Sequence, residues 1–128
     1  MNIEIHYGRN KNAWLSNLAE RHFVWKGTKY MSVEMAYQTL KSGSFDKNTY
    51  NKYMKFGGYG IKLRGKRADR ETNLGLMYQL IVSSFCQNYD LLEKLRTLKG
   101  STFYHNSGTP MVDNVLIDAL NIMANDGK

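Results

Sequence analysis

The chain has 128 residues, of which 42% are hydrophobic and 23% charged, and its formal net charge is +7 with an isoelectric point near 9.5. That length fits one domain with a core of its own, and the composition excludes a disordered chain. The lone cysteine, Cys86, excludes an internal disulfide and points to a reducing, cytoplasmic setting. The first residues lack the basic-then-apolar pattern of a secretion signal, and no apolar run reaches bilayer length, so no membrane partner is expected. A basic balance in such a domain favours an anionic ligand, nucleic acid or a phosphorylated small molecule, over simple solvation. Abundant Lys, Asn, Tyr and Met with a single Pro is usage that AT-rich genomes, such as those of many bacteriophages, produce.

Taken in chain order, Ile3, Ile5 and Tyr7 alternate with polar residues and predict a half-buried strand. Residues 22–25 and 28–31 predict two short strands, joined by a tight Lys26-Gly27 turn. Ser32 can cap a helix starting at Val33. On that helix Val33, Ala36, Tyr37 and Leu40 form an apolar face, and Glu34, Gln38 and Lys41 form a polar stripe beside it. Ser42-Gly43-Ser44 ends it. Asp46 can cap a short helix carrying Tyr50, Tyr53 and Met54. Three glycines within Gly57-Gly58-Tyr59-Gly60 predict a loop or hinge. A third helix has Leu74, Met77, Tyr78, Ile81, Val82 and Phe85 on one face. A fourth carries Leu91, Leu92, Leu95 and Leu98 and stops at Gly100. Thr109-Pro110 opens a last helix that buries Val112, Val115, Leu116, Ala119, Leu120 and Met123. The fold class is α+β: one mostly helical domain, 1–128, with a small N-terminal β element.

Metal chemistry has little support, because His6, His22 and His105 are isolated and no Cys or His pair has ligand spacing. Residues 60–67, G-I-K-L-R-G-K-R, match the first seven positions of a P-loop. The magnesium-binding Ser or Thr is replaced by Arg67, however, and no apolar strand precedes the segment, so a nucleoside triphosphatase is excluded. What remains is a basic group, Lys62, Arg64, Lys66 and Arg67, that could contact phosphate or be solvated loop. Glu34 lies in the first turn of its helix, where the helix N-terminus favours a carboxylate. With Gln38 and Lys41 it makes a polar site against an apolar backing. Periodicity alone favours a solvated helix face.

Several segments resemble the NADAR family of N-glycosidases, which includes a bacterial glycosidase of riboflavin-pathway intermediates. The resemblance rests on Leu15-Ser16-Asn17-Leu18, on the Gly27-containing turn, and above all on Ser32-Val33-Glu34-Met35-Ala36-Tyr37-Gln38 with Lys41. Met77, Phe85-Cys86-Gln87-Asn88 and Asn114-Val115-Leu116 resemble later family segments. Two features depart from the family pattern. Its Arg-x-Asp-Trp segment corresponds to Arg67-Ala68-Asp69-Arg70-Glu71, which has no Trp. Its acidic residue before a Trp-Gly segment has no counterpart in residues 104–111, and Asp113 is the nearest acid.

The resemblance implies hydrolysis of a bond between ribose C1′ and a nitrogen, with no cofactor and no metal. Glu34 is the implied catalytic carboxylate. Trp14, Ser16, Asn17, Tyr37, Gln38, Lys41, Lys62 and Arg64 are candidates for holding substrate, Trp14 and Tyr37 by stacking on a base. Lys66 and Arg67 are candidates for nucleic-acid contact. The high positive charge favours ADP-ribose carried on guanine in DNA as substrate, and hence an antitoxin or anti-defence role. A phosphorylated riboflavin-pathway intermediate, or binding of ADP-ribose or nucleic acid without catalysis, are the alternatives.

Overall fold

The computed structural model describes residues 1–7, 11–67, 73–107 and 109–125. In chain order they form strand β1 (Asn2–Glu4), a single 3-10 turn (Ala13–Leu15), the hairpin β2 (Phe23–Trp25) and β3 (Thr28–Tyr30), and helices α1 (Val33–Leu40) and α2 (Lys47–Lys55). Helices α3 (Leu74–Cys86) and α4 (Tyr89–Arg96), strand β4 (Thr102–Tyr104) and helix α5 (Pro110–Asn125) follow. This is an α+β arrangement dominated by helices.

Local chemistry sets the first boundaries. The β2–β3 turn places Lys26 at φ 49° and Gly27 at φ 83°, the pair of left-handed residues that a two-residue hairpin needs. Ser32 then caps α1, its hydroxyl oxygen accepting from the Met35 N–H at 3.1 Å. Asp46 caps α2 by accepting from the Thr49 N–H at 3.2 Å. Asn73 caps α3, with Oδ1 accepting from the Leu76 N–H at 3.0 Å.

The core is built where the apolar faces of α3 and α5 meet, with α1 on the other side of α3 and α4 against α5. Met77, Leu80, Ile81 and Phe85 of α3 and Leu116, Ala119, Leu120 and Met123 of α5 are buried there. Val112 and Val115, expected in the core, are only half-buried, and Asp113 and Ala124 are buried instead. The helical face is rotated so that the first-turn acid turns inward.

The β structure is not confined to the N-terminus. Strand β1 pairs in parallel with β4, Ile3 opposite Phe103, from the far end of the chain. Neither three-residue strand carries a signal that specifies so distant a partner. Residues 57–60 also differ from a hinge. Gly58 accepts from the Ser32 hydroxyl at 2.7 Å, and its own N–H donates to the Tyr53 carbonyl at 2.8 Å. The Gly60 N–H donates to the Leu18 carbonyl at 2.8 Å. The glycines there permit positive φ in a loop that is tied down on both sides.

Candidate functional site

Helix α1 is buried almost all round: every residue from 33 to 39 is buried, including Glu34 at 6% and Gln38 at 5% exposure. The polar stripe is therefore not a solvated face. Its cover is the segment 61–67. The hydroxyl of Tyr53 on α2 accepts from the Leu63 N–H at 2.8 Å and donates to the Leu63 carbonyl at 3.0 Å. The Gly65 N–H donates to Gln38 Oε1 at 3.0 Å, and the Lys66 N–H donates to Asp46 Oδ2 at 3.0 Å. A Cβ at position 65 would collide with the Gln38 backbone carbonyl. Gly65 is thus a close-approach glycine, and a side chain there would lift the basic segment off α1.

This packing gives Gln38 a double role. Its Oε1 holds the loop, and its Nε2 donates to Glu34 Oε2 at 2.7 Å, a charge-assisted bond that fixes the carboxylate. The Glu34 N–H donates to the Asn17 carbonyl at 2.9 Å, so the 13–17 segment is joined to the first turn of α1. Lys41, at the other end of the stripe, lies close enough to the exposed Lys62 and Arg64 to feel their charges. Burial holds the Lys41 ammonium below its usual value; Arg64 and Lys62 push it the same way, and Glu34 opposes them. Lys41, Lys62, Arg64 and Glu34 therefore share one electrostatic environment. Burial raises the Tyr53 hydroxyl above the usual phenol range, and the Glu34 charge adds to that rise.

Asn17 faces a different shortage. Among the described residues its Nδ2 donates only to the Met77 sulfur, at 3.5 Å, and its Oδ1 is buried without a hydrogen-bond partner. A buried amide oxygen left unsatisfied is costly and calls for an explanation, such as a ligand donor. Arg21, fully buried, positions this segment. Its Nη1 donates to the Trp14 carbonyl at 2.8 Å and, more weakly, to that of Ser16 at 3.3 Å. Its Nε donates to the Ser84 hydroxyl at 2.9 Å. Burial pushes the guanidinium down to about 9, so it stays charged at neutral pH.

The remaining candidates divide. Ser16 is buried, and its hydroxyl accepts from the Leu18 N–H at 3.1 Å, which makes it part of the turn that delivers Asn17. Tyr37 is buried in the hydrophobic core. Trp14 packs edge-on against Phe85 with ring centroids 6.3 Å apart, and the Lys94 ammonium lies 4.4 Å above its ring. One face of that indole is thus already occupied, which argues against its use as a base platform. The side chains of Lys66 and Arg67 are exposed. Residues 68–71, which correspond to the family's Trp-bearing segment but contain no Trp, lie outside the described residues.

Among the later residues, Gln87, Asn88 and Asp113 have structural partners. The Gln87 side chain pairs with Val24 as a strand neighbour would, accepting from its N–H at 2.8 Å and donating to its carbonyl at 2.9 Å. Asn88 donates to the His22 carbonyl at 2.8 Å. Asp113 is buried against His105 Nδ1 at 2.6 Å and belongs to α5, which packs on α3, α4 and β4 rather than on α1. It is not a second acid beside Glu34. Sequence reasoning missed Gly65, Tyr53 and Arg21 as parts of the site's framework and read Asp46 only as a helix cap; Gly65, a glycine flanked by cations, carried a local signal.

No group of three or more His, Cys, Asp and Glu that could hold a metal occurs among the described residues, and among them no helix is long and apolar enough to cross a membrane. No family model, curated protein or solved structure matches the chain.

Proposed function

We propose that this chain is a NADAR-like N-glycosidase that hydrolyses the C1′–N bond joining ADP-ribose to a guanine base in DNA. The observation that carries the proposal is a buried carboxylate, Glu34, held by Gln38 and sharing its environment with Lys41, Arg64 and Lys62. Cleavage of such a bond builds positive charge on the sugar as the base departs. Glu34 stabilises that charge and takes a proton from the attacking water, whose oxygen bonds to C1′ while the electron pair leaves with the base. Lys41, Lys62 and Arg64 hold the pyrophosphate, a dianion suited to a cluster of cations. The unsatisfied Asn17 Oδ1 accepts from a ribose hydroxyl. Lys66 and Arg67, exposed beside this cluster, meet the strand.

The test is turnover of a guanine-ADP-ribosylated oligonucleotide by wild type and by Glu34→Gln. The variant keeps shape and removes charge. A rate loss of about 100-fold or more is expected, the usual cost of removing a charge-stabilising group. Equal turnover by both proteins removes Glu34 from the mechanism. Binding of ADP-ribose without turnover by either leaves a binding module.

A further inference from the structure

We infer that the cleft between the β2–β3 hairpin and the C-terminal end of α1 is a stacking site for an unpaired base of a single nucleic-acid strand. The inference extends the proposed action on nucleic acid to a second contact. The cleft has a volume of about 420 Å³ and is lined by Trp25, Tyr30, Phe45, Leu40, Lys26 and Asn73 among others. Aromatic rings accept any base by its π-face, and a nearby cation holds the backbone, the combination that single-strand binders use.

Three observations favour this occupant. First, the aromatic wall is braced. Phe45 lies 5.3 Å from Tyr50, and Tyr50 meets Tyr30 edge-on at 5.7 Å. The Tyr50 hydroxyl is fixed by donating to the Lys29 carbonyl at 2.8 Å. A rigid platform loses little entropy on stacking. Second, Phe45 is 46% exposed despite this support, an apolar ring left open at the cleft. Third, Lys26 of the hairpin turn lines the cleft, which gives the site a cation in a chain that carries +7.

The probe is a short unmodified oligothymidylate, which requires no glycosidase activity, with affinity followed by fluorescence anisotropy. Phe45→Ala is expected to weaken binding about fivefold or more, and Phe45→Tyr to restore it. Lys26→Asn, which tolerates the left-handed backbone, is expected to flatten the salt dependence by about 0.7 in logarithmic slope. Duplex of the same length is expected to bind more weakly, and turnover of ADP-ribosylated guanosine to be unchanged in these variants. Wild-type affinity in folded Phe45→Ala and Lys26→Asn proteins overturns the inference. So does equal binding of duplex and single strand, or a matching loss on the nucleoside, which assigns the cleft to the small-ligand pocket. If no glycosidase activity is found but the Phe45 effect persists, the stacking site stands and the catalytic reading fails.

Discussion

Glu34 and Asp113 are both carboxylates buried in the first turn of a helix, yet their surroundings differ. Asp113 is engaged on both oxygens by its own surroundings. His105 lies 2.6 Å from Oδ1, and the Ser107 N–H donates to both oxygens, at 3.2 Å and 3.0 Å. Asp46 is similar: it caps α2 through the N–H and hydroxyl of Thr49 and holds the Lys66 N–H. Glu34 has one side-chain hydrogen bond among the described residues, from Gln38, and nearby cations on a separate loop. Acids buried at a helix N-terminus thus differ in how far local donors satisfy them, and a satisfied carboxylate has little left to give a substrate.

The sharpest way to break this contrast is to compare Glu34→Gln with Asp46→Ala. Glu34→Gln should lower turnover by about 100-fold or more and leave the thermal midpoint within a few degrees of wild type. Asp46→Ala should do the reverse in emphasis, lowering unfolding free energy by about 2 kcal/mol or more through loss of a cap and of buried hydrogen bonds. Denaturant titration reads the second effect, and a marginal change there would show that Asp46 is not a structural anchor. The pH dependence carries a sign. Hydrogen bonds from Thr49, chiefly its hydroxyl, and from the Lys66 backbone hold the Asp46 carboxyl below its usual value. Its contribution is full above the ordinary carboxylate pKa and is lost as pH falls through the lowered one.

Lys41 gives a smaller effect of opposite sense. Burial, with Arg64 and Lys62, lowers its pKa, so its charge opposes folding at neutral pH, and that opposition fades as pH rises through the lowered value. An anionic ligand binds the charged form. Affinity for ADP-ribose should therefore fall with rising alkaline pH, and Lys41→Gln should bind more weakly and lose that fall. A wild-type affinity that is flat over the same range would place the phosphates elsewhere. The smallest expected effect is that of chelation: thorough EDTA treatment should leave turnover unchanged, and loss of activity rescued by a divalent ion would point to a metal site.

What could be read from the sequence was local. Ser32, Asp46 and the Lys26-Gly27 turn act within a few residues, and each stands where its chemistry predicts. The Glu34–Gln38–Lys41 stripe was also legible, as a periodicity. Its burial was not, because the cover comes from residues 61–67 and depends on Gly65 meeting the Gln38 carbonyl, a contact between segments 27 residues apart. The β1–β4 pairing failed to show for the same reason, since three-residue strands specify no partner. Trp14 illustrates the converse. An indole near a polar segment reads as a ligand platform, but its ring belongs with Phe85 and Lys94.

The most direct test of the central claim is mass analysis of the products when the protein acts on guanine-ADP-ribosylated DNA in water enriched in oxygen-18. Attack at C1′ beside Glu34 predicts an unmodified strand and free ADP-ribose carrying the heavy oxygen on its ribose, with both products formed about 100-fold or more slowly by Glu34→Gln. Heavy oxygen on a phosphate, with ribose left attached to the base, would place the chemistry at the pyrophosphate and contradict the assignment of Glu34 to the glycosidic bond.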